Sequence, residues 1–489
     1  MALDPYRRLL RIPGVPTLLV VGLLARVPAT ATGMALTLHV AEVMKLGYTK
    51  AGLVTAASTI GMAIGSPLSG RFVDKHGLRP VLTLTTVAQV AFWACAWALP
   101  FPALVAAAAL AGLLALPVFS VTRQCLAALV PVAQRRVGFT LDSMLVELSY
   151  MTGPALAVAG VTTLGSGVTM TVIGAGMTVA GVGLIVLNPP TRSAVELEEP
   201  AVRVPRRQWI TPAFVALLGT AAAATFVLTA TELSLVATMN RAGQTEWVGL
   251  AVGIWCVYSL VGGFVYGGLS RGLSPLTLIT GMGLLTVPIG LVGGDWRWLI
   301  LALLPAGLLC APALSSTVDV LSRWVPSGAR GEAMGFHGTA LLIGGAASAP
   351  IAGAIIDGVG PGWAFAVAGL VGVAMVAVAL PFWRRRPPAP ETLPLSVPVP
   401  ASVAEAGTVP ASVPVPVPET APASGVIPAS GVNPASGVIP ASKPVSTSGT
   451  VPVSEPALVA ATLPASEGSA ARDATGTGDG LGGRDGLDA

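Results

Sequence analysis

The chain is 489 residues long, 53% hydrophobic and only 10% charged, with a mean hydropathy of +0.77. A soluble domain carries nearer ~25% charged residues to coat its surface, so a water-soluble globule is excluded and lipid must supply the remaining solvent. The net charge of +4 comes from dispersed basic residues with no aromatic-interleaved stripe, which argues against nucleic acid as a partner.

In chain order, Arg7, Arg8 and Arg11 precede an apolar run that continues well past a signal-peptide core, so it reads as a retained first helix. A spanning helix needs about 20 apolar residues. Segments that qualify lie at 15–41, 50–70, 80–100, 102–122, 139–162 and 168–187, then at 212–238, 247–269, 275–293, 298–322, 333–356 and 362–383. The predicted class is all-α and polytopic: 1–187 as a first six-helix bundle, 188–210 as a polar connection, 211–385 as a second bundle, and 386–489 as a tail. The tail is rich in Pro, Ala, Ser and Val and repeats a six-residue unit from Pro422, Pro428 and Pro434, a composition expected to stay disordered and cytoplasmic.

Cytoplasmic loops attract Lys and Arg. With the N-terminus inside, nineteen basic residues fall in inner loops, Arg123 counted among them at the end of the fourth helix. The outer loops receive Lys45, Lys50, Arg241 and Arg297. The two halves also match at a shift of 195 to 197 residues: Pro117 meets Pro312, Val130-Pro131 meets Val325-Pro326, Arg135 meets Arg330, and Pro154 meets Pro350. Six spans per half make these parallel repeats about an axis normal to the bilayer.

Between the second and third helices stands Gly70-Arg-Phe-Val-Asp74-Lys75-His-Gly77-Leu-Arg79-Pro80. Gly70 and Gly77 suit a tight reversal, and Pro80 suits a first helical turn. Asp74 sits where it can meet a base across the loop, or helix N-terminal amides of the facing half, and so latch the inner face. The segment resembles the loop signature of the major facilitator superfamily, with Gly70, Asp74, Lys75, Gly77 and Arg79 in its positions and Leu78 in place of one basic residue. Gly153-Pro154 in the fifth helix resembles the helix-five motif of that superfamily's proton-coupled drug exporters, although Leu156-Ala157 replace the expected glycines. The resemblance implies the superfamily fold, a small-molecule substrate, protons as the coupling ion, and Gly153-Pro154 as a hinge. The arginine it would place partway along helix four is missing.

Ionisable residues inside a membrane cost about 2.5–3.5 kcal/mol each at a helix centre and point to function. Arg26 and Glu147 fall near the midplane, Asp142 nearer the cytoplasm and Glu232 in the outer part of helix seven. We expect Glu147 to bind a proton or cationic substrate while Arg26 tunes it, unless the two form a structural pair. Asp142 and Glu232 either reach the interfaces or share that pathway. Neither the four cysteines nor the three histidines form a metal-ligand pattern, and no cofactor is expected.

The expected function is a secondary active transporter, a monomer working by alternating access. Proton-coupled efflux of a drug-like compound by antiport is preferred over uptake of a metabolite or sugar. No nucleotide-binding Gly-x-x-x-x-Gly-Lys-Ser/Thr loop appears. A membrane enzyme would need a convergent His/acid set that His39 and His337 do not supply, and a non-transporting sensor or scaffold draws support only from the tail. The Ala-, Gly-, Arg- and Pro-rich composition points to a high-GC bacterial cell membrane.

Overall fold

A computed structural model describes residues 3–193, 196, 205–269, 271–293 and 295–384. The tail expected over 386–489, and residues 194–195 and 197–204 of the polar connection, lie outside the described residues.

Twelve helices are long and apolar enough to span a bilayer. We label them α1 (Val15–Val43), α2 (Gly47–His76), α3 (Leu78–Ala98), α4 (Phe101–Leu129), α5 (Val132–Leu164), α6 (Ser166–Leu187), α7 (Pro212–Arg241), α8 (Thr245–Gly268), α9 (Pro275–Val292), α10 (Trp296–Trp324), α11 (Ser327–Gly358) and α12 (Pro361–Trp383). No strand occurs among the described residues. In a membrane this is the expected outcome, because a helix satisfies its own backbone hydrogen bonds where no water can.

Local chemistry sets the ends. Pro212 opens α7 in the first turn, and Thr211 Oγ1 accepts the Phe214 amide at 3.2 Å. Ser274 does the same for α9, accepting from Thr277 at 3.1 Å, and Asp295 caps α10 through the Arg297 amide at 2.9 Å. Each cap satisfies a donor that the helix start would leave unpaired. The reversal between α2 and α3 turns on Gly77, whose φ of 84° no L side chain adopts readily.

The duplication is visible in matching irregularities. The helix segments of α4 stop at Leu113 and resume at Val118, and those of α10 stop at Gly307 and resume at Cys310. Both breaks lie just before or around the matched Pro117 and Pro312, since proline cannot continue an incoming hydrogen-bond ladder. Short 3-10 turns at Val132–Gln134 and Ser327–Ala329 follow in both halves. Several boundaries lie beyond the sequence reading, with α2 running to His76, α5 starting at Val132 and α11 at Ser327. The fourth span does not end near residue 122 but runs to Leu129, which places Arg123 inside the helix.

α1–α6 pack among themselves, as do α7–α12, and the bundles meet through α2 against α11 and α5 against α8 and α10. An even number of spans puts the helix Asp4–Leu10 and the end of α12 on one face, called the terminal face below. Toward that face a single apolar core is shared by both bundles, with Leu126 and Phe139 packed together with Val318, Leu321 and Met334. Toward the opposite face the core divides. Val54, Trp93 and Met170 belong to a cluster of the first bundle alone, and Leu235, Trp255 and Phe365 to one of the second. The bundles are sealed at the terminal face and parted at the other.

Candidate functional site: a closed face and a charged interior

The seal is built around the first turn of α11. Asp74 Oδ1 accepts the Gly331 amide at 3.0 Å and Oδ2 the Glu332 amide at 2.9 Å, while Gln124 Nε2 donates to Oδ1 at 2.8 Å. A carboxylate at a helix N-terminus meets both free amides and the positive end of the helix dipole. Of the two geometries open in the sequence, the structure selects the amides of the facing half. Gly70 lies so close to the Gly331 carbonyl that no Cβ would fit. Lys75 is exposed, and Arg79 Nε reaches the Ile185 carbonyl of α6 at 3.4 Å.

The connection between bundles joins the same turn. Arg330 Nη2 meets Glu196 Oε1 at 2.9 Å, and Arg206 pairs with Glu332. Burial pushes the Glu196 carboxyl up, but the Arg330 guanidinium and the Ser193 amide outweigh it and hold it below the usual glutamate range. Elsewhere on this face, Tyr6 donates to the Phe264 carbonyl at 2.8 Å and stacks on that ring, and Arg136 donates to the Leu269 carbonyl.

Farther from the terminal face the cross-bundle bonds thin out. Among the described residues the last of them are Thr339 Oγ1 to the Ala63 carbonyl at 2.6 Å on the α2–α11 side, and Ser259 Oγ to Glu147 Oε1 at 2.6 Å on the α5–α8 side. Beyond these, a cleft of about 490 Å³ opens between Thr37, Thr55 and Thr59 of the first bundle and Ala346 of the second.

Glu147 therefore sits at the floor of the parted region. Ser259, which donates to it, accepts the Ala311 amide at 3.0 Å where α10 restarts after its break. The other carboxylate oxygen, Oε2, is shielded and has no partner among the described residues. Glu232 is exposed on α7. It and Glu147 both lie close enough to Cys256 of α8 for their charges to act on it.

Arg26 is fully buried, but its partner is not Glu147. Its Nη2 meets Asp142 Oδ1 at 2.6 Å, and Arg123 Nε meets Asp142 Oδ2 at 3.2 Å. Asp142 is fully buried as well and reaches no interface. Helical geometry explains the correction: five residues along an α-helix turn the side chain by roughly 140°, so Asp142 faces α1 and α4 whereas Glu147 faces α8. The position of Arg123 is corrected for a related reason. A charge just past the end of an apolar run reads as a loop residue, yet here Arg123 pairs with Asp142, which it shares with Arg26, about two turns before the end of α4. Gly153 lies against α1 with no room for a Cβ beside Thr30, and α5 runs on through Pro154 without interruption.

Several members of this set carry no advance signal in the sequence. Ser259, Gln124, Thr317 and the partner of Arg330 are ordinary polar residues until the fold brings them together. His337 is buried on α11, its Nε2 2.8 Å from Thr317 Oγ1. No cluster of metal-ligating side chains occurs among the described residues.

The family model of the Major Facilitator Superfamily matches residues 18–275 and 243–416. No curated protein matches the chain. Among solved structures it is similar to the human organic anion transporter MFSD10, at 15% identity with a TM-score of 0.60, over 75% of this chain and 100% of that one. A bacterial homologue of the iron transporter ferroportin in its outward-facing state gives 18% identity and a TM-score of 0.60, over 76% and 99%. The transporter FucP in the outward conformation gives 16% and 0.56, over 77% and 99%. At these identities the likeness shows a shared fold. With twelve helices in two matching bundles, the loop around Asp74 and a family model covering most of the chain, the protein belongs to the major facilitator superfamily.

Proposed function

We propose that the chain is a secondary active transporter of a bacterial cytoplasmic membrane, with both termini inside, that exports a drug-like solute in exchange for protons by alternating access. The terminal face is then the cytoplasmic one, and the conformation is outward-facing. The observation that carries this reading is Glu147: an ionisable group at the floor of the parted region, bridging the bundles through Ser259 and leaving one oxygen free. A proton on Glu147 changes what it can offer Ser259, and so couples protonation to the contact between α5 and α8. Glu232, farther along the open side, extends the pathway, and Gly153 with Pro154 lets α5 bend as the contact is remade. The sparse polar lining, mostly threonine hydroxyls and small apolar side chains, suits an amphipathic cargo.

A resistance screen in a host stripped of its own efflux pumps supplies the cargo, and everted vesicles then test the coupling. Proton-driven accumulation should be lost in Glu147→Gln and retained after deletion of residues 390–489. Undiminished proton-driven accumulation by Glu147→Gln would remove Glu147 from the mechanism, and loss of all activity on tail deletion would favour a docking role.

A further inference from the structure

Two arginines and one carboxylate are enclosed in the first bundle, and their charges do not balance. Arg26, Asp142 and Arg123 are exposed by 0%, 0% and 5% respectively. Asp142 is saturated, with one oxygen committed to each guanidinium. The formal sum of two positive charges and one negative leaves one positive charge over. Among the described residues, Tyr150 on α5 and His337 on α11 also lie within electrostatic reach of these arginines, and neither supplies an anion at neutral pH. Glu147 is turned away toward Ser259.

The excess has an unmet side. Nε and Nη1 of Arg26 are buried without a hydrogen-bond partner among the described residues, as is Nδ1 of His337. A buried donor or charge left unpaired is destabilising, which is why natural interiors pair them. What stands beside Arg26 is aromatic. Its guanidinium lies 5.3 Å from the centre of the Phe119 ring, and Phe119 lies 6.1 Å from Tyr150 at a tilt of 30°. Tyr150 is 56% exposed. An exposed ring, a second ring beside it and an under-satisfied guanidinium beside that form a graded series from the accessible surface of α5 to the enclosed charge.

We infer that this series ends in an anion subsite: Arg26, backed by Arg123 and oriented by Asp142, receives the negatively charged group of an aromatic organic acid that enters past Tyr150 and Phe119. The bound anion cancels the residual charge and supplies an acceptor to the idle donors of Arg26, while the rings hold the aromatic body. Proton carriage at Glu147 and anion recognition at Arg26 are then separate functions on opposite sides of α5. The substrate class deepens the export reading, resting on it only in that the acid is cargo.

The probe is benzoate, compared with its neutral isostere benzamide at matched ionic strength, and the readout is thermal unfolding of the purified full-length chain in detergent. At roughly ten times its dissociation constant, a ligand that binds only the folded state should raise the melting temperature of a chain this size by about 1–2 °C. Benzoate should give that shift and benzamide should not. Arg26→Gln should abolish it. Arg123→Gln, which also brings the formal sum to zero while leaving the Arg26–Asp142 pair intact, should abolish or sharply reduce it and serves if the first variant does not fold. Glu147→Gln should keep the benzoate shift even as it loses proton-driven flux, so failure of the proton reading is seen separately. Equal shifts from benzoate and benzamide, or a full benzoate shift in either folded arginine variant, would overturn the subsite.

Discussion

Asp142 holds two guanidinium groups away from water, and the balance of the first bundle depends on it. Removing one partner of a buried ion pair costs about 3–5 kcal/mol because a charge is left stranded, and Asp142→Asn would strand two. We expect Asp142→Asn to be the most destabilising single substitution among the charged residues of the spans, read as the largest fall in melting temperature, whereas Glu232→Gln should be near neutral. Much of this was legible at the residue scale. A charge near the middle of an apolar run is costly wherever it points, so depth singled out Arg26 and Glu147, whereas Asp142, close to the cytoplasmic end of its predicted span, stayed open between an interface and the pathway. Partner choice was not legible, because it depends on which side of α5 a residue occupies and which helix lies there. Arg123 was hidden by the same limit: its burial follows from Asp142, a residue of another helix.

At the scale of elements, the first turn of α11 gathers restraints from three directions: Asp74 on its amides, Glu196 on Arg330 and Arg206 on Glu332. Asp74 stood out by its motif, which left open a base across the loop or the amides of a facing helix terminus, and only the fold decides between them. Glu196 and Arg206 were not, because loop charges of both signs near a membrane look alike until their partners are placed. The close approach at Gly70 gives a direct test. Gly70→Leu should prevent closure, and thiol labelling from the terminal face of a cysteine introduced at Ser66 should rise at least tenfold. The Glu196–Arg330 pair adds a pH dependence whose sign is fixed. Glu196 is held below its ordinary value near 4.5, so its stabilisation is present at neutral pH and is lost as pH falls through the depressed value. Between pH 7 and pH 4 the wild-type melting temperature should fall more than that of Glu196→Gln, and equal falls would show that the Glu196–Arg330 pair carries no linkage.

The whole molecule is a duplicated bundle whose halves share one apolar core at the terminal face and keep separate cores at the other. The count of twelve, the bias of basic residues and the repeat shift made this architecture readable from sequence, because lipid imposes length and hydropathy on every span. The conformational state was not readable, since under the proposed alternating access one sequence supports more than one arrangement of the same halves. That proposal is the centre of the account. In a background with the four native cysteines replaced, spin labels at Val132 and Leu273 report across the bundles on the terminal face, and labels at Tyr48 and Val359 report on the opposite face. All four positions are at least half exposed. Double electron–electron resonance in lipid should give two distances for each pair, the terminal pair lengthening as the opposite pair shortens when the pH is changed, with that response lost in Glu147→Gln. Fixed distances at both faces under every condition, or distances that lengthen and shorten together, would contradict alternating access.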